Sequence, residues 1–307
     1  MTNEPSYQID AISPVGYIPQ PLGKDEHEKL LRAKKTLLFG VALEQRLDIL
    51  LENYASLERY ILDLALRNAV FMGDTRGRLG EGRHNVNRHL NNLLSSAKLY
   101  IDQTAQALSE QFGRDSSQYQ RYIEAKSEEY DNYLAYRTLE ALRGYVQHRG
   151  LPTHSISFSS RRDESNANRI RNRHIVAFGL LPESIREDGG FKSSVLQELE
   201  DVVDKEGRIE LMPLIREYVS GIARVHKGVR MSVSAELDNA DSFVVNLFER
   251  VHSLTGHSCV SARIWETTIE GMNSFGAISS EWIHERISYV EKNCYAEYLS
   301  GQYVSSQ

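Results

Sequence analysis

The sequence predicts a mainly α protein, an antiparallel helical bundle carrying a small two-stranded β insertion. Three observations lead there. Apolar residues recur at three and four positions through long stretches of the first half. Those stretches are separated by short polar breaks, which make neighbouring helices antiparallel. After Pro152 the period falls to two, as in a half-buried strand.

Residues 1–23 hold Pro5, Pro14, Pro19 and Pro21, so no long helix can form there and an extended N-terminal arm is expected. From Lys24 the stretch "LLRAKKTLLFGVALEQRLDILLENYASLERYILDLALRNAV" reads as one long amphipathic helix, with Gly40 as its candidate bend. The glycines of "MGDTRGRLGEGR" should end it. Helical spacing returns through Leu90, Leu93, Leu94, Ala97 and Ile101, and a third helix is expected from about Ser116 to His148. Residues 24–152 thus form the bundle. "HSISFSS" and "HIVAFGLL" make a β ribbon over 153–180, and 181–307 is a C-terminal helical region. No internal repeat or low-complexity tract is visible.

The chain has 307 residues, 41% of them hydrophobic, enough for one large or two ordinary domains. The opening "MTNEPSYQID" lacks the basic-then-apolar pattern of an export signal, and no stretch approaches the roughly 18 apolar residues of a membrane span. A cytoplasmic protein without membrane association is expected. Two cysteines, Cys259 and Cys294, cannot build a disulfide framework and suit a reducing compartment. The formal charge of -6 argues against a dedicated, tightly held nucleic-acid binder but leaves room for an enzyme that touches RNA briefly.

Candidate chemistry concentrates in "RGYVQHRGLP", residues 143–152. At 100° per residue, Ala135, Leu139, Leu142 and Val146 form a buried stripe. The opposite arc runs from Arg143 through Tyr136, Gln147, Glu140, Tyr133, Gly144 and Arg137 to His148. Gly144 costs about 1 kcal/mol relative to alanine in a helix and leaves a notch in that arc. Metal-free RNA cleavage needs proton transfer at two oxygens and a fixed cation on the phosphate. Histidine titrates near neutrality and arginine grips phosphate oxygens in pairs. His148 lies in the last turn, where the helix dipole favours imidazolium. Two copies in a homodimer would divide the acid and base roles.

The stretch "YDNYLAYRTLEALRGYVQHRGLP" resembles the HEPN domains, helical bundles whose ribonuclease members carry Arg, four to six residues, then His near the end of a long helix. The resemblance covers residues 130–152. It implies a metal-independent endoribonuclease, commonly a bacterial toxin or phage-defence effector, with Arg143 and His148 as the catalytic pair at a homodimer interface. A neutralising or activating protein partner belongs to that picture. No cofactor and no metal are implied. Where the family usually places Asn, Asp or His after the arginine, this chain has Gly144. The alternative is a non-catalytic helical interaction or assembly protein that keeps the bundle, with Arg143 paired to Glu140 and His148 on free carbonyls.

Glu140, Tyr145 and Gln147 are the residues expected to orient or contact substrate. Tyr133, Tyr136 and Tyr145 could stack on unpaired bases. The ribbon tip carries Arg161, Arg162, Arg169, Arg171 and Arg173, able to follow a phosphate backbone. Arginine and histidine at this spacing also occur at Arg78 and His84, Arg83 and His89, Arg149 and His154, Arg169 and His174, and Arg250 and His257. Of these, Arg83 and His89 are the runner-up because they open a helix. His252, His257, Cys259, His284 and Cys294 are zinc-ligand types whose spacing matches no compact finger. No phosphate loop, zinc-protease helix or serine elbow is present.

Overall fold

A computed structural model describes residues 5–13, 16–71, 75–163 and 171–302, apart from the side chains at positions 75, 76, 78, 163 and 171. The chain opens with β1 (Ser6–Ser13) and β2 (Gly16–Leu22), then α1 (Lys24–Val70), α2 (Thr75–Phe112), α3 (Ser117–Asn132) and α4 (Leu134–His148). Next come β3 (Ser155–Asp163), β4 (Arg171–Leu180), α5 (Pro182–Asp188), α6 (Ser193–Glu200) and the short β5 (Ile209–Glu210). The last third is α7 (Leu211–Ser232), α8 (Ser234–Thr255), β6 (Ser261–Thr268), β7 (Gly271–Ser279), α9 (Glu281–Lys292) and a 3-10 turn, Ala296–Gly301. The protein is mainly α, as the sequence predicts.

Two compact units share these elements. The first contains Met1–Arg46, Ala107–Tyr119 and Val229–Cys294. Its antiparallel sheet has the order β2-β1-β6-β7, so the residues expected as an arm are two strands, with Ile9 paired to Ile264. Pro19 and Pro21 are tolerated because β2 is an edge strand, where a missing N–H breaks no ladder. Ile9, Ala11, Ala262, Ile264 and Ile278 form one buried face, covered by Leu30, Ala33 and Leu37 of α1 and Val244, Leu247 and Phe248 of α8. Gly40 does not interrupt α1. A Cβ there would lie 2.6 Å from Leu237 Cδ2, so the glycine serves close packing against α8.

The second unit contains Leu47–Gln106, Gln120–Gly228 and Tyr295–Gln307. Leu47, Leu50 and Leu57 of α1, Leu90, Leu93 and Ala97 of α2, Leu139 and Leu142 of α4, and Ile215, Val219 and Ile222 of α7 share one core. The expected ribbon is present as β3 and β4, but β5 adds a third strand through Gly179 and Leu180. The sequence shows no sign of it because two residues have no periodicity. The expected glycine break before α2 is shorter than anticipated, since the helix starts at Thr75. At Gly82 a Cβ would meet Ile156 Cδ1 at 3.3 Å, so here too a glycine marks close approach rather than helix termination.

The helix expected from Ser116 to His148 is two helices, α3 and α4. Tyr133 leaves the helical region at φ -119 and ψ 115. The break is held by Arg137, whose Nη1 donates to the carbonyls of Tyr130 at 2.8 Å and Asp131 at 2.7 Å. These are carbonyls at the end of α3 that the helix itself leaves unbonded. Across the unit, Arg224 grips Glu129 through two bonds of 2.7 and 2.8 Å and also reaches Glu217.

Candidate functional site

Helix α4 carries the residues singled out by sequence. Ala135, Leu139 and Leu142 are buried as the helical wheel predicts, and Val146 is half-buried. Tyr136 and Tyr145 are buried as well, although the wheel puts Tyr136 in the polar arc. Its ring packs edge-on against Tyr218 of α7, 5.1 Å between centres. Arg137 pairs with Glu198 of α6 at 2.6 Å, and Tyr218 Oη donates to Glu140 at 2.7 Å. The arc is therefore occupied by neighbouring helices at its N-terminal end.

The C-terminal end of the arc is different. Arg143 is half-buried, and its Nε is enclosed with no hydrogen-bond partner among the described residues. The Arg143–Glu140 ion pair anticipated for a purely structural helix end is not formed; Glu140 instead accepts the Tyr218 hydroxyl on one oxygen. Gln147 and His148 are exposed. At Gly144 an added Cβ would meet nothing within 4 Å, so among the described residues no side chain fills the notch. No bond joins Arg143 directly to His148 among the described residues.

One turn away, a polar network closes the helix. Tyr145 is fully buried, which removes it as a stacking surface for a base and leaves its hydroxyl as the working group. That hydroxyl lies 3.2 Å from His154 Nε2 and donates to Asp188 at the end of α5. His154 Nδ1 accepts the Leu181 N–H at 3.2 Å, so the proton of a neutral imidazole sits on Nε2 and points at the tyrosine oxygen. The chain of donors runs from His154 to Tyr145 to Asp188. Burial lowers the His154 pKa, against the opposing pull of Asp188. Burial followed by the Asp188 hydrogen bond raises that of Tyr145. Gly150 is required here, because a Cβ would lie 2.5 Å from the Tyr145 oxygen. The repeated Arg and His spacing pointed at His154 through Arg149; nothing local pointed at Asp188.

The ribbon brings arginines together. Arg161 on β3 stands directly across from Arg173 on β4, and Arg162 across from Asn172. Arg161, Arg162 and Arg173 are exposed, and no carboxylate pairs with any of them among the described residues. Like charges facing one another across strands are destabilising. The Arg171 backbone pairs with Asp163; its side chain and all of Arg169 lie outside the described residues.

The runner-up pair does not meet. Arg83 Nη1 donates weakly to the His154 carbonyl at 3.4 Å, whereas His89 stacks on Tyr60 at 5.1 Å and approaches Ser56 Oγ at 3.2 Å. Tyr133 is exposed, but its ring carries the Arg224 guanidinium, 4.4 Å from the centre. Cys259 is buried, Cys294 is exposed and both are free thiols. Among the described residues no group of three or more His, Cys, Asp or Glu is arranged to hold a metal ion, and no helix is long and apolar enough to cross a membrane.

Comparison with protein-family models, with curated proteins and with solved structures found no match to this chain.

Proposed function

We propose that this protein is a metal-independent endoribonuclease of HEPN type, acting as a homodimer, with Arg143 and His148 as its working pair. The observation that carries the reading is the uncommitted state of Arg143: half-buried, without a carboxylate partner among the described residues, and beside the open flank of Gly144. A guanidinium in such a position favours an incoming anion, and phosphate matches its fork of donors. Arg161, Arg162 and Arg173, without carboxylate partners among the described residues, add a second place for a phosphate backbone. A bacterial toxin or phage-defence role, with a neutralising or activating partner protein, follows from the resemblance.

In this reading the 2'-oxygen of one nucleotide attacks the adjacent phosphorus while the bond from phosphorus to the 5'-oxygen breaks. A histidine accepts the 2'-hydroxyl proton and a second proton is delivered to the departing 5'-oxygen. The products are a 2',3'-cyclic phosphate and a 5'-hydroxyl. Arg143 holds the non-bridging oxygens as charge builds. His148, exposed in the last turn of α4, supplies proton transfer, and the partner subunit's copy supplies the complementary role. Gln147, on the same exposed turn, is placed to contact the substrate.

A second reading, a non-catalytic helical interaction protein, is favoured by the internal use of Arg137, Glu140 and Tyr145. RNA cleavage in EDTA by the wild type beside folded His148→Ala and Arg143→Ala decides between them. Loss of cleavage in both variants is expected. Cleavage that persists in both refutes the assigned pair, and a wild type inert toward RNA moves the assignment to the interaction protein.

A further inference from the structure

A cavity of about 320 Å³ lies within the second unit, bounded by α2, α3 and α4. Its size falls at the lower end of the range for small-molecule sites. The walls are chemically mixed. Lys98 and Asp102 come from α2, Lys126 and Tyr130 from α3, and Tyr136 and Glu140 from α4.

Three of these groups have unused bonding capacity. Tyr136 is 3% exposed, and its hydroxyl, which is not sealed from the cleft, bonds nothing among the described residues. Burial, then the nearby Glu140, raises its pKa, so it remains a protonated donor. Glu140 accepts Tyr218 Oη on one oxygen and nothing on the other among the described residues. Lys126 pairs with no carboxylate there, in contrast to Lys98, which is held by Asp102. A carboxylate acceptor, a phenol donor and an ammonium whose one recorded contact is the Tyr122 ring, 6.0 Å from its centre, therefore face one half-open cleft.

We propose that this cavity is a guanine-nucleotide subsite, an inference that rests on the ribonuclease reading and assigns its base specificity. Guanine alone among the four RNA bases presents two adjacent N–H donors beside a carbonyl on its pairing edge. The donors suit Glu140, the carbonyl suits the Tyr136 hydroxyl, and the ammonium of Lys126 suits a phosphate. Glu140 and Tyr136 precede Arg143 by three and seven residues on one helix. At 1.5 Å per residue they stand about 4.5 and about 10.5 Å from it along the axis.

The test is calorimetric titration of the full chain with GMP, AMP, CMP and UMP, using the wild type, Glu140→Gln and Ser127→Trp. Glutamine keeps an acceptor for Tyr218, and Ser127 is an exposed cavity-lining position where an indole blocks entry without disturbing the core. GMP is expected to bind at least about tenfold more tightly than the others, given what hydrogen bonds to a charged group contribute. Glu140→Gln should erase that preference, and Ser127→Trp should abolish binding of all four. Equal binding of the four nucleotides, or a preference untouched by Glu140→Gln, overturns the subsite. RNA cleavage mapped on the same proteins separates the two proposals. Guanine binding without cleavage leaves the subsite standing and removes the ribonuclease reading. Cleavage with no guanosine bias, unchanged in Ser127→Trp, does the reverse.

Discussion

Replacing Tyr145 with phenylalanine removes one oxygen from the polar network at the end of α4 and leaves the packing volume almost unchanged. The hydroxyl donates to the Asp188 carboxylate and receives His154 Nε2. A hydrogen bond to a charged group contributes about 1.5–3 kcal/mol and a neutral one about 0.5–1.5. Asp188 is exposed, so water recovers part of its loss, and the half-buried His154 bears most of the remainder. The net destabilisation should be about 1.5–2.5 kcal/mol. It would be read from urea unfolding followed by tyrosine and near-UV signals, fitted as separate transitions because two units need not unfold together. A change below about 0.5 kcal/mol would mean the network is not a stabilising unit. Gly150→Ala provides the coupled measurement. Its Cβ would press on the Tyr145 oxygen at 2.5 Å and on Cζ at 2.9 Å, so the two substitutions together should cost less than the sum of each alone.

Other predictions concern the same unit. Gly179→Ala should destabilise by at least about 1–3 kcal/mol, the usual cost of overpacking, because its Cβ would lie 2.2 Å from the Ile209 backbone oxygen and 2.7 Å from Arg208 Cγ; thermal unfolding near that of the wild type would show that β5 is not docked as described. His154 has a folded-state pKa below its usual 6.5. At pH values between the two, the unfolded chain therefore binds a proton that the folded chain does not, and stability must fall with pH from about 6.5 until the folded value is passed. His154→Gln should flatten that slope, and a slope unchanged in the variant would assign it elsewhere. The Cβ of Gly144→Asn meets nothing within 4 Å among the described residues. The substitution should raise helix stability by a few tenths of a kcal/mol and, if the resemblance extends to chemistry, increase the RNA cleavage rate; reduced stability would refute the open notch.

The sequence was informative for much of the structure that depends on neighbours in the chain, though not for the break at Tyr133 between α3 and α4. The periodicity of α1 and α2, the stripe of Ala135, Leu139 and Leu142, the end of α4 before Gly150 and the alternation of β3 and β4 all follow from local patterns, because helix turns and strand pleats repeat within a few residues. The glycines were ambiguous for a related reason. Gly40 and Gly82 lack a side chain in either role, and only the positions of Leu237 and Ile156 distinguish close packing from a break.

Pairing between distant segments left no local trace. Ile9 lies beside Ile264 in a sheet whose two halves are separated by most of the chain, and prolines at an edge strand look the same in sequence as prolines in a loop. The same holds for the candidate site. The spacing of Arg143 and His148 is local and visible, as is the open position at Gly144. That Tyr218 would take Glu140, that Asp188 and His154 would close on Tyr145, and that Tyr136 would be buried facing a cavity depended on α5, α7 and the ribbon folding back onto α4. A side chain's partners are set by which surfaces meet, and burial then raises the stakes of every unmatched donor and acceptor.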